Sequence, residues 1–349
     1  MKNSLLNYTF DELKDIIVNM GEKSFRAKQI FKSLHLGLDF EEMTDLSKDL
    51  RAKLSTEYLA QPVKILKSFL SKDGTEKFLF ALQDGNLIEG VLMRYKYGAT
   101  LCVSTQVGCR MNCAFCASGL EGLLRNLEPS EILGEILSVN KYLRGGLQEK
   151  RMVTNVVMMG SGEPLDNYDN VIKFLKLVSC AEGINISPRN ISLSTAGLVP
   201  QMYQLANEGI PLNLTVSLHS PIDEERQKIM PIAKAYSIKQ ILDACQNYFE
   251  KTGRRYIFEY VLIKDNNDSE RHSNALISLL KGRPCHINII RLNEVKEKQL
   301  KSADDKAAYR FMGVLEKAGI SATVRRRMGD DIEGACGQLR RRYLEDNNK

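Results

Sequence analysis

The segment Cys109–Cys116 constrains this chain more than any other, because three cysteines stand in it at C-x3-C-x2-C spacing. Three thiolates can bind three corners of a cubane iron–sulfur cluster and leave the fourth iron open, whereas a fourth cysteine would give a closed electron carrier. Zinc is the main alternative, but it prefers four ligands in paired motifs, and no second pair follows nearby. A disulfide is a weak alternative, since nothing in the sequence looks secreted. The segment predicts a [4Fe-4S] cluster on Cys109, Cys113 and Cys116.

An open iron suits the amino and carboxylate groups of S-adenosylmethionine (SAM). A reduced cluster bound there can break the sulfonium bond and release a 5′-deoxyadenosyl radical. The aromatic Phe115, just before the last cysteine, strengthens this interpretation.

Composition places few further limits on function. The 349 residues are 43% hydrophobic and 26% charged, which is ordinary for a globular chain of one large and one smaller domain. No apolar run could span a bilayer and no signal peptide opens the chain, so we expect a cytoplasmic protein without a membrane partner. The net charge of +6 is concentrated in Arg325–Arg327 and Arg340–Arg342, on either side of Cys336. These runs indicate either a phosphate-backbone partner or, more commonly, a solvated face.

Changes of hydrophobic period divide the chain. Residues 1–60 read as a helical module, which could bind RNA or serve as a packing cap, and residues 61–94 carry two Asp-Gly hairpin signals that predict a three-stranded β-meander linker. Residues 95–329 alternate six strands with helices, which predicts an α/β fold, a partial (βα)6 barrel with its site at the carboxyl ends of the strands. Residues 330–349 make a C-terminal loop around Cys336 and a basic tail.

Polar residues recur where the predicted barrel strands end. A glycine-rich turn, Gly160–Pro164, contains Gly162 and a carboxylate, Glu163, that can accept hydrogen bonds from an ammonium group. Ser194, Ser217, Leu218, His219 and Asn293 occupy the later strand ends and could hold the ribose, carboxylate and adenine of SAM. For each one singly, capping of the next helix is an equally good interpretation, and a lone histidine is more often a core residue.

Three further residues could act chemically. Glu89 shares a strand face with Leu87 and Val91, so burial would raise its pKa and suit a general base, although the pattern alone favours an edge carboxylate that reaches solvent. Cys336 stands in a glycine-flanked loop among arginines, which lower a thiol pKa. Cys102 lies on the first barrel strand, where simple packing is the alternative.

With these residues in view, the chain resembles the RlmN family of radical-SAM RNA methyltransferases, to which the resistance methyltransferase Cfr is a close relative. The resemblance runs over nearly the whole chain and is most specific where Ala335-Cys336-Gly337-Gln338-Leu339 accompanies the three cysteines. Further matching motifs are Gly21–Ile30, Cys102–Cys109, Arg125-Asn126-Leu127, Gly162-Glu163-Pro164-Leu165 and Ser217–Pro221.

The resemblance implies roles for individual residues. Cys109, Cys113 and Cys116 would bind the [4Fe-4S] cluster, and SAM would contact Gly162, Glu163, Ser194, Ser217, Leu218, His219 and Asn293. Cys336 would carry the methyl group as S-methylcysteine, Cys102 would resolve the intermediate through a transient disulfide bond, and Glu89 would be the general base.

The resemblance also implies the substrate and partners. The substrate would be an adenine of 23S rRNA at the peptidyl-transferase centre, methylated at C2, and in some members also the tRNA adenine 3′ of the anticodon. An electron donor such as flavodoxin or ferredoxin would reduce the cluster, and we expect a monomer. The motif Gly162–Leu165 favours methylation at C2. Cfr methylates C8 instead, and two other motifs resemble Cfr at least as well as RlmN, namely Ile289-Ile290-Arg291 and His219-Ser220-Pro221.

Two other classes of function fit parts of the sequence. A non-catalytic iron–sulfur RNA-binding module is opposed by the open three-cysteine site and by the position of Cys336 in a loop. A radical-SAM enzyme acting on a small molecule is opposed by the helical N-terminal module and the arginine runs.

Overall fold

The N-terminal module is helical, as its periodicity predicts. The computed structural model describes residues 2–144, 151–295 and 297–332. Strand β1 (Asn3–Ser4) precedes helices α1 (Phe10–Asn19), α2 (Phe25–His35) and α3 (Lys48–Glu57), and strand β2 (Tyr58–Leu59) pairs with β1 in parallel. Helix α1 begins at a capping box in which Thr9 and Glu12 each satisfy a backbone N–H of the other, so its start is fixed locally.

Three antiparallel strands follow, β3 (Val63–Leu70), β4 (Glu76–Leu82) and β5 (Leu87–Tyr95), which confirms the predicted meander. The remaining strands are β6 (Gly98–Cys102), β7 (Gln106–Gly108), β8 (Leu123–Asn126), β9 (Val153–Met158), β10 (Ile191–Thr195), β11 (Asn213–Ser217), β12 (Tyr256–Leu262), β13 (Cys285–Arg291) and β14 (Ala322–Val324).

The core is one ten-stranded sheet in the order β14-β13-β12-β11-β10-β9-β6-β5-β4-β3, and β7 and β8 form a separate hairpin. Strands β6 and β9 to β14 are parallel, which confirms the predicted α/β partial barrel and adds one short strand, β14, to the six predicted strands. The connecting helices are α4 (Pro129–Arg144), α5 (Tyr168–Val178), α6 (Val199–Asn207), α7 (Asp223–Ile229), α8 (Ile238–Thr252), α9 (Glu270–Leu280) and α10 (Asp305–Lys317).

The meander is part of this sheet, because β5 pairs with the first barrel strand, β6, in antiparallel register, Val91 opposite Cys102. The sheet is therefore continuous across the domain boundary predicted at residue 95. The predicted division of the chain into domains stays a prediction.

His35 joins the helical module to the barrel. Its ring packs on Phe31, with ring centroids 4.3 Å apart, and its Nδ1 accepts a hydrogen bond of 3.2 Å from the backbone N–H of Ile184. Burial lowers the pKa of His35 to about 3, so the ring is neutral at physiological pH. Among the residues that the structure describes, no helix is both long and apolar enough to cross a membrane.

Candidate active site

The three cysteines of the C-x3-C-x2-C motif lie in the loop between β7 and β8, beyond the carboxyl end of β6. Cys109 donates its backbone N–H to Gly122 O at 2.9 Å, and Ala114 donates to Ile229 O of α7 at 2.8 Å. Asn112 adopts a left-handed conformation with φ of 48°, as a tight loop requires. The loop is therefore held at both ends by backbone hydrogen bonds.

The thiols of this loop fit an iron–sulfur cluster. Cys109 and Cys113 are buried, Cys116 is half-buried, and all three are free of disulfides. Burial raises the pKa of Cys109 to about 12 and that of Cys113 further. The charges of Glu163 and Cys116 add to the effect at Cys109, and those of Cys116 and Cys109 add to it at Cys113. Such thiols give up their protons when a metal coordinates them.

A site for a single metal ion differs from a cluster site, because its ligand side chains surround one point. Within the described ranges, no group of three His, Cys, Asp or Glu side chains is placed to hold one ion. Zinc binds four ligands around one ion, whereas the thiolates of a cubane each bind a different iron atom.

The glycine-rich turn after β9 presents a buried carboxylate. Gly162 has φ of 109°, and a Cβ there would lie 2.7 Å from the backbone N of Gln106, so only glycine fits. Glu163 accepts hydrogen bonds from Ala196 N–H at 2.6 Å and Leu165 N–H at 3.1 Å. Burial raises the pKa of Glu163 to about 7 despite these donors. An ammonium group would favour its ionised form.

The other predicted SAM residues divide into two groups. Ser194 and Ser217 are half-buried near the carboxyl ends of β10 and β11, and Leu218 and His219 follow β11 in the buried interior. Asn293 lies beyond β13 and is exposed. The structure thus brings four of these five residues to strand ends next to the cysteine loop and leaves Asn293 at the surface.

His219 has a specific setting at this rim. Its φ is 58°, its Nδ1 accepts a hydrogen bond of 3.0 Å from Val261 N–H, and Phe115 of the cysteine loop meets its ring edge-on at a centroid distance of 4.6 Å. Burial lowers its pKa to about 3, so the ring is neutral and its proton is on Nε2. The aromatic residue within the motif therefore packs on a residue that follows β11.

Glu89 is buried in the middle of the sheet, not at an edge. Its carboxylate forms an ion pair of 3.0 Å with Lys77 of β4, and the two side chains are 2% and 0% exposed. The interpretation favoured by the sequence pattern alone, a carboxylate reaching solvent at a sheet edge, is therefore wrong. The pattern shows which face a residue occupies, but the depth depends on the neighbouring strands.

Cys102 and Glu89 lie on the two strands that meet at the start of the barrel. Cys102 ends β6, is 6% exposed, and stands between Val91 of β5 and Val157 of β9. Ser104 donates its hydroxyl to Glu89 O at 2.9 Å and accepts the N–H of Ser161 at 3.2 Å, which ties β5 to the glycine-rich turn. Cys336, and with it the predicted disulfide, lies outside the described residues, as do Arg340–Arg342.

Arg325 points into the barrel. It stands 3.6 Å from Glu259 of β12, and its Nη1 lies 3.7 Å from Met159 Sδ. Burial raises the pKa of Glu259, which Arg325 and a hydrogen bond of 3.0 Å from Asn288 oppose. The solvated-face interpretation is therefore wrong for Arg325, whereas Arg326 and Arg327 are exposed. Phosphate binding by this run stays a prediction.

Sequence analysis missed Lys77 and Arg226, two buried cations of this region. Arg226 stands in the highly charged helix α7, where no sequence pattern indicates that it is buried, and Lys77 stands in a hydrophobic strand. A lysine within a run of strand residues beside a second strand with a lone carboxylate was the one available signal for the Lys77 pair.

Comparisons with known proteins agree with this geometry. Residues 103–275 match the model of the radical SAM superfamily, whose members use a [4Fe-4S] cluster and SAM, and residues 3–59 match that of the ribosomal RNA large subunit methyltransferase N-terminal domain.

Full-length relatives extend the match. A probable dual-specificity RNA methyltransferase RlmN from Lachnoclostridium phytofermentans is 51% identical over 340 residues, covering 97% of this chain and 94% of the relative. One from Clostridioides difficile is 50% identical, covering 97% and 98%. The crystal structure of a radical SAM methyltransferase from Sphaerobacter thermophilus has a TM-score of 0.92 and 40% identity, covering 96% and 98%. The chain therefore belongs to the RlmN family of radical SAM RNA methyltransferases.

Proposed function

We propose that this enzyme methylates C2 of an adenine in 23S rRNA at the peptidyl-transferase centre, and also C2 of the tRNA adenine 3′ of the anticodon. Its relatives are named as probable dual-specificity RNA methyltransferases, which supports two RNA substrates. The observation that carries the proposal is the pairing of β5 with β6, which sets a buried carboxylate, Glu89, and a thiol, Cys102, on neighbouring strands directly before the cysteine loop.

The reaction explains why both groups are needed. Adenine C2 is electron-poor and has no lone pair, so direct attack on the SAM methyl group is not available there. The cluster and SAM would supply a 5′-deoxyadenosyl radical. A methyl group carried by Cys336 would lose a hydrogen atom to that radical, and the resulting carbon radical would add to C2. The unpaired electron of the adduct would pass to the cluster, which SAM cleavage leaves oxidised by one electron.

Glu89 and Cys102 would then take the adduct apart. The Glu89 carboxylate, which lies 3.0 Å from the Lys77 ammonium group, would accept the C2 proton. The Cys102 thiolate would attack the sulfur of Cys336, so that a sulfur–sulfur bond forms as the carbon–sulfur bond breaks. The electron pair of the broken bond would pass to the methylene carbon, which takes up a proton to become methyl.

The cofactors would be held by residues at the same rim. Cys109, Cys113 and Cys116 would bind the cluster, and Glu163, with its pKa raised by burial, would accept hydrogen bonds from the SAM ammonium group. Gly162, Ser194, Ser217, Leu218 and His219 would line the rest of the SAM site. Asn293, which is exposed in this structure, would contact SAM from the segment after β13.

Mass spectrometry of RNA nucleosides tests the proposal. The anaerobically reconstituted enzyme, given SAM and a reduced flavodoxin or ferredoxin, should convert adenosine to 2-methyladenosine in separate reactions with a 23S rRNA fragment and with tRNA. Appearance of 8-methyladenosine would replace the C2 assignment by Cfr-like chemistry. A product in rRNA alone would remove tRNA from the proposal. We place this activity in the cytoplasm, where thiolate ligands stay reduced.

A further inference from the structure

Arg226 of α7 is a fully buried cation that binds the ends of two barrel strands. Its side chain is 0% exposed. Nε donates to Leu218 O at 3.1 Å, and Nη2 donates to Ala196 O at 2.7 Å and Ser217 O at 3.1 Å. These carbonyls lie at the carboxyl ends of β10 and β11, beside the predicted SAM residues.

The positive charge of Arg226 lacks a matching anion in the part of the chain that the structure describes. Arg226 forms no ion pair there, and its buried Nη1 has no hydrogen-bond partner. Asp223, on the same helix, interacts with it by charge, but burial still lowers the pKa of Arg226 to about 10. A buried charge without a counter-charge is costly, so an anion that binds nearby would be favoured.

Helix α7 lies directly against the cysteine loop. Ile229 O accepts the Ala114 N–H at 2.8 Å, and Ile229 and Met230 pack in one apolar cluster with Cys113. Arg226 stands one helical turn before these residues, and its backbone O accepts the N–H of Met230 at 2.7 Å. Among the charged groups that act on Cys113, Arg226 is the one that lowers its pKa, against the dominant effect of burial.

We propose that Arg226 is the counter-charge of the iron–sulfur cluster and that it raises the reduction potential of the cluster. Three thiolates give a cubane a net negative charge, and reduction adds one more negative charge. A fixed cation in a dry setting therefore stabilises the reduced cluster more than the oxidised one. This inference rests on the proposed assignment of Cys109, Cys113 and Cys116 as the cluster ligands.

Redox titration followed by electron paramagnetic resonance tests the inference. Arg226→Gln keeps hydrogen-bonding groups but removes the charge, and Arg226→Lys keeps the charge but loses the fork of donors. With iron content retained, the midpoint potential of the Gln variant should shift to a more negative value, and that of the Lys variant should stay near wild type. Arg144→Met is the matched control, since Arg144 also donates to backbone carbonyls, of Asn140 and Leu36, away from the site.

The outcomes separate the inference from the proposed function. Equal potentials in wild type and Arg226→Gln, or a larger shift in the Lys variant than in the Gln variant, would overturn it. Loss of SAM affinity in Arg226→Gln without a change of potential would mean that Arg226 serves the SAM carboxylate instead. A wild-type protein that binds no cluster would refute the ligand assignment. If Arg226→Gln fails to fold, loss of the cluster in the folded Lys variant would also overturn the inference.

Discussion

Lys77 and Glu89 form an ion pair of 3.0 Å between neighbouring strands, with both side chains almost wholly excluded from water. The pair lies in the meander, but it is close in sequence to the first barrel strand. Glu89 stands two positions before Val91 on β5, and Val91 pairs with Cys102 of β6. A buried pair of this kind is unstable when one partner is removed, because the other is left as an isolated charge.

We expect Lys77→Met to lower the free energy of unfolding by about 3–5 kcal/mol, since it strands the Glu89 carboxylate. The double variant Lys77→Met with Glu89→Gln should recover a large part of that loss. Urea unfolding of the two single variants and the double variant gives the coupling energy. Additive effects of the two substitutions would show that the pair is not coupled.

Cys102→Ala should still cleave SAM but accumulate protein covalently joined to RNA, because no thiolate is left to attack the sulfur of Cys336. A denaturing gel with labelled RNA, with and without nuclease, measures the adduct. Replacing Cys336 as well should abolish the adduct. Cys180→Ala is the control, which removes a half-buried thiol that donates a hydrogen bond to Glu182. Normal turnover of Cys102→Ala without a crosslink would assign Cys102 to packing alone.

Cys113→Ala should lose the brown colour and the iron of the anaerobically purified protein, which we expect to be about four irons per chain in the wild type. Iron and sulfide analysis and the absorption spectrum provide the measurement, again with Cys180→Ala as the control. Zinc in place of iron in an active wild-type protein would contradict the cluster assignment.

Gly162→Ala should weaken SAM binding about tenfold or more, since the added Cβ would meet Gln106 at 2.7 Å in a backbone conformation that already costs about 1–3 kcal/mol. Gly209→Ala is the matched control, because Gly209 also has positive φ, 67°, but open space around it. Calorimetry of SAM binding should show an effect for the first variant only. Equal affinities would mean that the turn tolerates a side chain.

The neutral His35 should make stability pH-dependent. The pKa of His35 is about 3 in the folded protein against 6.5 for the free side chain, so below pH 6.5 only the unfolded chain takes up the proton. This contribution to stability is complete above pH 6.5 and is lost as the pH falls towards 3. His35→Leu should therefore lose free energy of unfolding less steeply than the wild type over that range. Urea titrations at several pH values measure this free energy. The same dependence on pH in wild type and His35→Leu would contradict the expectation.

The long periodic elements could be predicted from sequence, because their hydrophobic spacing records the face that each buries. The six predicted strands are all present, with helices between them. The short elements could not, since α7 and β14 contain too few residues to show a period. The cysteine loop and Glu163 were found from spacing and position along the chain.

Contacts between distant segments gave the rest of the site. The depth of Glu89 depends on Lys77 of the adjacent strand, and the inward direction of Arg325 depends on Glu259 across the barrel. The alternation of a strand and a run of arginines are both local sequence patterns. They therefore cannot predict how deeply Glu89 is buried or that Arg325 points into the barrel.

The shared ladder between β5 and β6 has a consequence for how this enzyme can be divided. A fragment beginning at residue 95 would keep every cysteine of the loop, yet it would leave the backbone N–H and C=O groups of β6 as a bare edge open to other chains. It would also lack Glu89. Exchanging the meander between relatives would therefore also exchange Glu89, the general base in our proposal, and chimaeras are best joined at the short segment between β2 and β3.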